Sequence, residues 1–196
     1  MRIVQRNIKK YSDEQLMQLL SGKHQHAALT ELHARYAHKI LGYFIRMFQG
    51  DEQKAQDHVQ EVFIRVLSKH HLFDATKKFY TWVFTIASNL AKTSFREGRS
   101  QFVDVSEIQG DTLGENELDK KQFLNHLSIA VDALEPNHRE AFTLRHIQGL
   151  GIAEISEITE AAPGTVKSRI YYATRKIAEL LKEYKPENGE QLFKIS

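Results

Sequence analysis

No cysteine occurs in the 196-residue chain, which excludes disulfides, thiolate metal sites and cysteine nucleophiles together. Proline is scarce, with Pro136, Pro163 and Pro186 as the whole supply, so long stretches run free of helix breakers. Strand signals are lacking too, for there is no alternating apolar run and few turn dipeptides of the hairpin kind. No apolar run approaches the roughly 20 residues of a membrane span. The opening residues MRIVQR carry no apolar signal core, so a cytoplasmic protein without membrane insertion is expected. Metal signatures are also missing. His24 with His26 and His70 with His71 are close pairs, but no His-Glu-x-x-His string occurs, and no Glu-x-x-His pair recurs on two helices. No catalytic residue, metal, cofactor or small-molecule substrate is expected.

What is present reads as helix. Hydrophobic residues make up 41% of the chain and charged residues 27%, as in an ordinary soluble protein. The net charge of +2 says little, but its distribution is uneven. Lys77, Lys78, Lys92, Arg96 and Arg99 make one basic block, and Lys167, Arg169, Arg175, Lys176, Lys182 and Lys185 make another. Between them Asp104, Glu107, Asp111, Glu115, Glu117 and Asp119 reverse the sign, in a stretch without a helical period up to about Glu115. Such a stretch is a linker between domains.

The fold expected is all-α: two small helical domains joined by an acidic linker, the second a helix-turn-helix domain. The boundaries are 1–100, linker 101–117, 118–185 and a flexible tail 186–196. Periodicity and capping place helices after Ser12, then over about 27–48, 51–69, 78–96, 118–133, 136–147, 152–159 and 163–184. On the helix opened by Pro136, Ala141, Leu144 and Ile147 should point inward.

The last helix is the most informative. Pro163 suits a first helical turn. Val166, Ile170, Ala173, Ile177 and Leu181 share one face, while Ser168, Tyr171, Tyr172 and Arg175 fall opposite, with Lys167 and Arg169 on the flanks. Hydroxyls, rings and cations together suit phosphates and base edges in a major groove. With the short helix 152–159 and the turn before it, the pattern is that of a helix-turn-helix. A three-helix packing unit that binds nothing is the plain alternative.

Two earlier helices carry more than packing. On 51–69 the buried stripe is Ala55, Val59, Val62, Phe63 and Val66. The opposite face holds Asp57, Gln60 and Glu61 with Ile64 among them, an apolar residue rimmed by charge that fits a protein interface or is a scattered surface isoleucine. On 78–96 the buried stripe is Phe79, Trp82, Val83, Ile86 and Leu90. Thr81, Thr85, Ser88, Lys92 and Arg96 form an outer face with Asn89 beside it, and Tyr80, Phe84 and Phe95 line a flank. Cations interleaved with rings suit single-stranded nucleic acid, although these rings could equally pack on neighbouring helices.

Three strings in order, DHVQEVF from Asp57 to Phe63, FYTWVFTIASN from Phe79 to Asn89 and GTVKSR from Gly164 to Arg169, resemble the sigma subunits of bacterial RNA polymerase. The short layout is similar to the extracytoplasmic function (ECF) group, which keeps regions 2 and 4 and has a linker in place of region 3. The resemblance runs from about Ala27 to Arg99 and from about Leu118 to Leu181. It implies promoter-specific transcription initiation, with core RNA polymerase and promoter DNA as partners. Asp57, Gln60, Glu61 and Ile64 would dock on the β′ clamp helices, with the β subunit also in contact. Phe73, Asp74, Ala75, Thr76, Lys77 and Lys78 would form the loop around an extruded base of the melted -10 element. Tyr80, Phe84, Thr85, Asn89, Lys92 and Arg96 would lie along that strand. Thr165, Lys167, Ser168, Arg169, Tyr171, Tyr172 and Arg175 would read the -35 duplex. The acidic linker would thread the polymerase channel, and an anti-sigma factor typical of the group would sequester the chain. Glu160, Ala162, Tyr172 and Thr85 depart from the family pattern, which often has glycine, a capping hydroxyl and two arginines there. The competing expectation is a stand-alone helix-turn-helix regulator with an unrelated first domain.

Overall fold

The computed structural model of the chain describes residues 8–97 and 115–183. The linker up to Gly114 and the tail 186–196 lie outside them. A short 3-10 turn, Ile8–Lys10, precedes helix α1, Asp13–Leu19. A capping box starts α1: Ser12 Oγ accepts from Gln15 N–H at 3.2 Å, and Gln15 Oε1 accepts from Ser12 N–H at 2.8 Å. Arg35 ties this segment down, donating to Lys9 O at 3.0 Å, Tyr11 O at 3.0 Å and Asp13 Oδ1 at 2.7 Å.

Helix α2, Gln25–Met47, is the spine of the first module. It ends where Gln49 and Gly50 take positive φ, which breaks the helical path before Asp51. Asp51 then caps α3, Glu52–Lys69, accepting from Lys54 N–H at 2.9 Å. A 3-10 turn, His70–Leu72, leads through a loop into α4, Phe79–Glu97. Glu14 on α1 accepts from Phe79 N–H at 3.1 Å and so satisfies one of the orphan donors that open α4.

The second module comprises α5, Glu115–Asp132; α6, Pro136–Phe142; a π turn, Thr143–Ile147; α7, Ile152–Thr159; and α8, Pro163–Leu180. Helix α5 begins at Glu115, two residues before the expected linker end at 117. The 136–147 segment is not one α-helix: it widens to π geometry at Thr143, and Ile147 is 41% exposed rather than inward.

The core does not stop at the module boundary. One buried cluster joins Leu32, Tyr43, Phe44, Val62, Phe79 and Phe84 of the first module to Leu144, Ile155, Ile158 and Val166 of the second. Each fully buried large apolar side chain is worth about 1.5–3 kcal/mol, so this joint is a substantial part of the fold. A smaller cluster, containing Ala130, Leu134, Phe142, Ala173 and Ile177, packs α5 and α6 against α8.

Candidate nucleic-acid and polymerase interface

The loop before α4 is built on Asp74. Its Oδ1 accepts from the Thr76 N–H at 2.9 Å and hydroxyl at 2.7 Å, and those two bonds hold its pKa below the usual carboxylate value. Ala75, Thr76, Lys77 and Lys78 are exposed, whereas Phe73 is half-buried against Trp82, ring centroids 5.4 Å apart. Trp82 is therefore only half-buried, not the core residue its stripe suggested, because it shares its face with the loop.

Along α4 the expected outer face is largely covered. Thr81 is 4% and Ser88 0% exposed, and Thr85 is half-buried with its hydroxyl donating to Thr81 O at 2.9 Å. Helix α7 packs against α4. Asn89 and Arg96 remain exposed. Phe84 is fully buried between Tyr43, at 5.7 Å, and Tyr80, at 4.8 Å and nearly parallel. It supports Tyr80 and presents no face to a ligand, so packing won here over the nucleic-acid expectation. Tyr80 is half-buried, with Lys39 Nζ 5.3 Å from its ring centroid.

Three cations of this set reach across to the second module. Lys77 Nζ lies 3.0 Å from Glu157 Oε1 and Lys78 Nζ 2.8 Å from Glu154 Oε1. Lys92 Nζ donates to Thr159 O at 3.0 Å, at the C-terminal end of α7 where the helix dipole favours a cation. These carboxylate bonds raise the pKa of both Lys77 and Lys78. Lys78, and then the Gly151 N–H, lower that of Glu154. Burial first, then the charge on Glu154, pushes the Tyr80 phenol up to about 12, and its hydroxyl donates to Gln148 Oε1 at 2.9 Å.

On α3 the two faces separate as expected. Ala55, Val59, Val62, Phe63 and Val66 are buried, while Asp57 and Gln60 are exposed and Glu61 pairs with Arg65 at 2.8 Å. Ile64 is 59% exposed, and Leu72 in the 3-10 turn after α3 is 65% exposed. Leu72 was missed, because it lies beyond the end of α3 in the 3-10 turn, where the period of the helix no longer applies.

On α8, Val166, Ala173 and Ile177 are buried; Thr165, Lys167, Ser168, Tyr171, Tyr172 and Arg175 are exposed and Arg169 is half-exposed. The tyrosine rings meet edge-on at 5.4 Å, and His138 of α6 stands 6.4 Å from Tyr172. The turn into α8 hinges on Glu160, in the left-handed region at φ 56°. Ser156 closes the turn, its hydroxyl donating to Ala161 O at 2.6 Å. Ala162 occupies the N-cap without a side-chain bond.

Sequence patterning gave no hint of Arg139, which is 4% exposed. Its guanidinium donates to Val131 O at 3.2 Å, Asp132 O at 2.6 Å and Leu134 O at 2.9 Å, and across the module boundary to Met47 O at 3.0 Å. It thereby satisfies carbonyls at the ends of α5 and α2. Burial lowers its pKa, with Asp132 and Glu135 opposing. Tyr43 donates to Glu140 Oε1 at 2.9 Å in a second buried link between the modules.

Among the described residues no three His, Asp or Glu side chains group as a metal site, and no helix is long and apolar enough to cross a membrane. The Sigma-70 region 2 family model matches residues 32–101, and the Sigma-70 region 4 model matches residues 127–177. The RNA polymerase sigma-H factor of Pseudomonas aeruginosa is 32% identical over 182 residues, covering 86% of this chain and 93% of that protein. The ECF RNA polymerase sigma-E factor of Escherichia coli is 31% identical over 163 residues, covering 76% and 84% respectively. In fold, the sigma factor RpoE of Bartonella quintana, solved with the anti-sigma factor NepR, superposes with a TM-score of 0.67 at 24% identity, over 80% of this chain and 98% of that one. The match to region 2 in the first module disfavours a stand-alone regulator with an unrelated first domain. The chain belongs to the ECF subfamily of sigma factors, which direct bacterial RNA polymerase to promoters for transcription initiation.

Proposed function

We propose the following division of labour within that initiation activity. Residues 1–100 form the region 2 module that holds core polymerase and the melted -10 strand, 118–185 the region 4 module that reads the -35 duplex, and 101–117 the linker between them. On α3, Asp57, Gln60 and Glu61 supply the charged rim and Ile64 with Leu72 the apolar centre of the polymerase contact. In the loop before α4, Lys77 and Lys78 track phosphates, while Tyr80 offers a ring edge to a base, which offsets part of the few kcal/mol needed to unstack it. On α8, Lys167, Arg169 and Arg175 position the duplex through phosphates while Ser168, Tyr171 and Tyr172 reach base edges. The chain works in the cytoplasm beside polymerase, which itself carries out the chemistry of RNA synthesis. An anti-sigma factor is its negative partner, as the relatives solved in such complexes suggest.

The observation carrying most of this is the exposed pair Tyr171 and Tyr172, at 61% and 56%, on a helix whose other face is core. The test is transcription in vitro: core polymerase plus the full chain on genomic templates, with start sites mapped. Initiation at defined positions only when the chain is added is the expected result. Transcripts with no defined start would overturn it.

A further inference from the structure

The loop that runs into α4 is held at both ends by carboxylate residues, one local and one distant in sequence. At its start the Asp74 side chain accepts from Thr76, and the Asp74 carbonyl accepts from Lys77 N–H at 2.9 Å. At its end stands Lys78, whose side chain only donates and cannot cap the first N–H groups of α4. That task falls to Glu14 of α1, whose Oε1 accepts from Phe79 N–H at 3.1 Å. Glu14 is half-buried. Burial raises its pKa, but the bonds from Phe79, its own N–H and Ser12 outweigh that and hold it below the ordinary carboxylate value. The group therefore stays charged, which suits the positive end of a helix dipole.

Helix α1 is firmly seated. Leu16 and Leu20 are fully buried, Arg35 of α2 donates to Asp13 at 2.7 Å, and the Tyr36 hydroxyl of α2 donates to the same Asp13. The Tyr36 ring stands 4.9 Å from Phe79 and 5.8 Å from Tyr80. Two adjacent acids, Asp13 and Glu14, thus join α1 to both α2 and α4 around the residues that open α4. A cap supplied from α1 leaves the end of the loop to a cation. A carboxylate at position 78 would repel the phosphates that Lys78 is proposed to track. The Sigma-70 region 2 match begins at residue 32, so α1 lies ahead of it.

We propose that Glu14 is a positioning residue for capture of the unpaired strand: from α1 it fixes the first peptide of α4, and with it the end of the loop and the Tyr80 ring one residue on. It touches no base itself. Its carboxylate sets where Lys78 and Tyr80 leave the helix, so the face is in place before DNA arrives and less ordering accompanies binding. This inference rests on the reading of Lys77, Lys78 and Tyr80 as the single-strand face.

The experiment uses the full chain bound to core polymerase. Two labelled duplexes share one non-template strand; one is fully paired, and the other has a template strand mismatched opposite a run of thymidines. The ratio of the two affinities reports strand capture. Glu14→Ala should lower the preference for the mismatched duplex about fivefold, the size of a lost helix cap. Affinity for core polymerase and for the paired duplex should not change. Glu14→Gln, whose amide oxygen still accepts from Phe79 N–H, should keep most of the preference. Glu14→Asp retains the charge but falls one methylene short, and should behave like the alanine variant. Amide exchange in the free chain gives a second readout: protection across residues 74–80 should fall with alanine and aspartate and hold with glutamine. An unchanged preference in Glu14→Ala overturns the proposal, and so does an equal loss in Glu14→Ala and Glu14→Gln. If Glu14→Ala fails to fold, the other two variants decide, and aspartate no weaker than glutamine overturns it. Tyr80→Ala is the reference. If it too leaves the preference unchanged, the strand does not use this face and the underlying reading fails with the proposal. If Tyr80→Ala lowers the preference and the Glu14 variants do not, only the positioning role is refuted.

Discussion

Glu160 holds the left-handed conformation that the helix-turn-helix turn requires, and a side chain there costs roughly 1–2 kcal/mol relative to an unstrained backbone. Two residues on, Ala162 caps α8 with no side-chain acceptor. The turn is therefore held by other groups: the Ser156 hydroxyl on Ala161 O, and Pro163, whose fixed φ starts the helix. Each departure from the family pattern should be repairable. Glu160→Gly is expected to raise unfolding free energy by about 1 kcal/mol, and Ala162→Ser by a similar amount through a new bond to an N–H of the first turn, about 1 kcal/mol. Urea midpoints of the full chain measure both. No gain from the serine would mean that Pro163 and Ser156 already saturate the cap. The resemblance alone marked both positions beforehand, since the family often has glycine at 160 and a capping hydroxyl at 162; of the two only Glu160 has positive φ.

Among the elements, α3 separates its roles most cleanly. Its apolar stripe is buried on α2 and α4, and its opposite face leaves Asp57, Gln60 and Ile64 free of the fold. Their bonds lie within the helix: Glu61 pairs with Arg65 one turn on, Asp57 accepts from Gln53 at 3.3 Å, and an exposed i,i+4 pair contributes well under 1 kcal/mol. Asp57→Ala with Glu61→Ala should therefore leave thermal stability within about 0.5 kcal/mol of the parent. Affinity for core polymerase should fall about tenfold if both carboxylates meet cations there. Titration of labelled chain against core measures it; unchanged affinity would move the polymerase contact off this face. Helix α4 teaches the opposite lesson. Its polar residues Thr81 and Ser88 sat on the face that amphipathicity assigns to water, yet both are buried in a helix that packs against α2, α3 and α7. Periodicity finds the most polar side of a helix, but it cannot tell solvent from a second module.

For the molecule as a whole, the joint between modules is the deciding feature. Arg139 ties the ends of α2 and α5 together, and Tyr43 with Glu140 adds a buried hydrogen bond nearby. Removing the guanidinium strands several buried carbonyls, each worth about 1–3 kcal/mol unsatisfied. Arg139→Met is expected to cost about 3 kcal/mol overall and to loosen the modules from each other, seen as a lower urea midpoint and a larger hydrodynamic radius. A full-stability variant would mean that water replaces the guanidinium at those carbonyls. Burial of an arginine reads from sequence as an exposed charge, so nothing along the chain could have singled this one out.

The chain's own order of residues determined the helices, their caps and which face of α3 and α8 stays outside, because those follow from local period and from the chemistry of Ser12, Asp51, Pro136 and Pro163. It also determined family membership, through motifs spaced along both modules. Tertiary structure alone decided that the two modules share a core, that Phe84 is packing and that the lysines before α4 face carboxylates of α7. Those outcomes depend on which amphipathic surface meets which across a long sequence separation, and the free energy of that meeting is written in neither partner by itself.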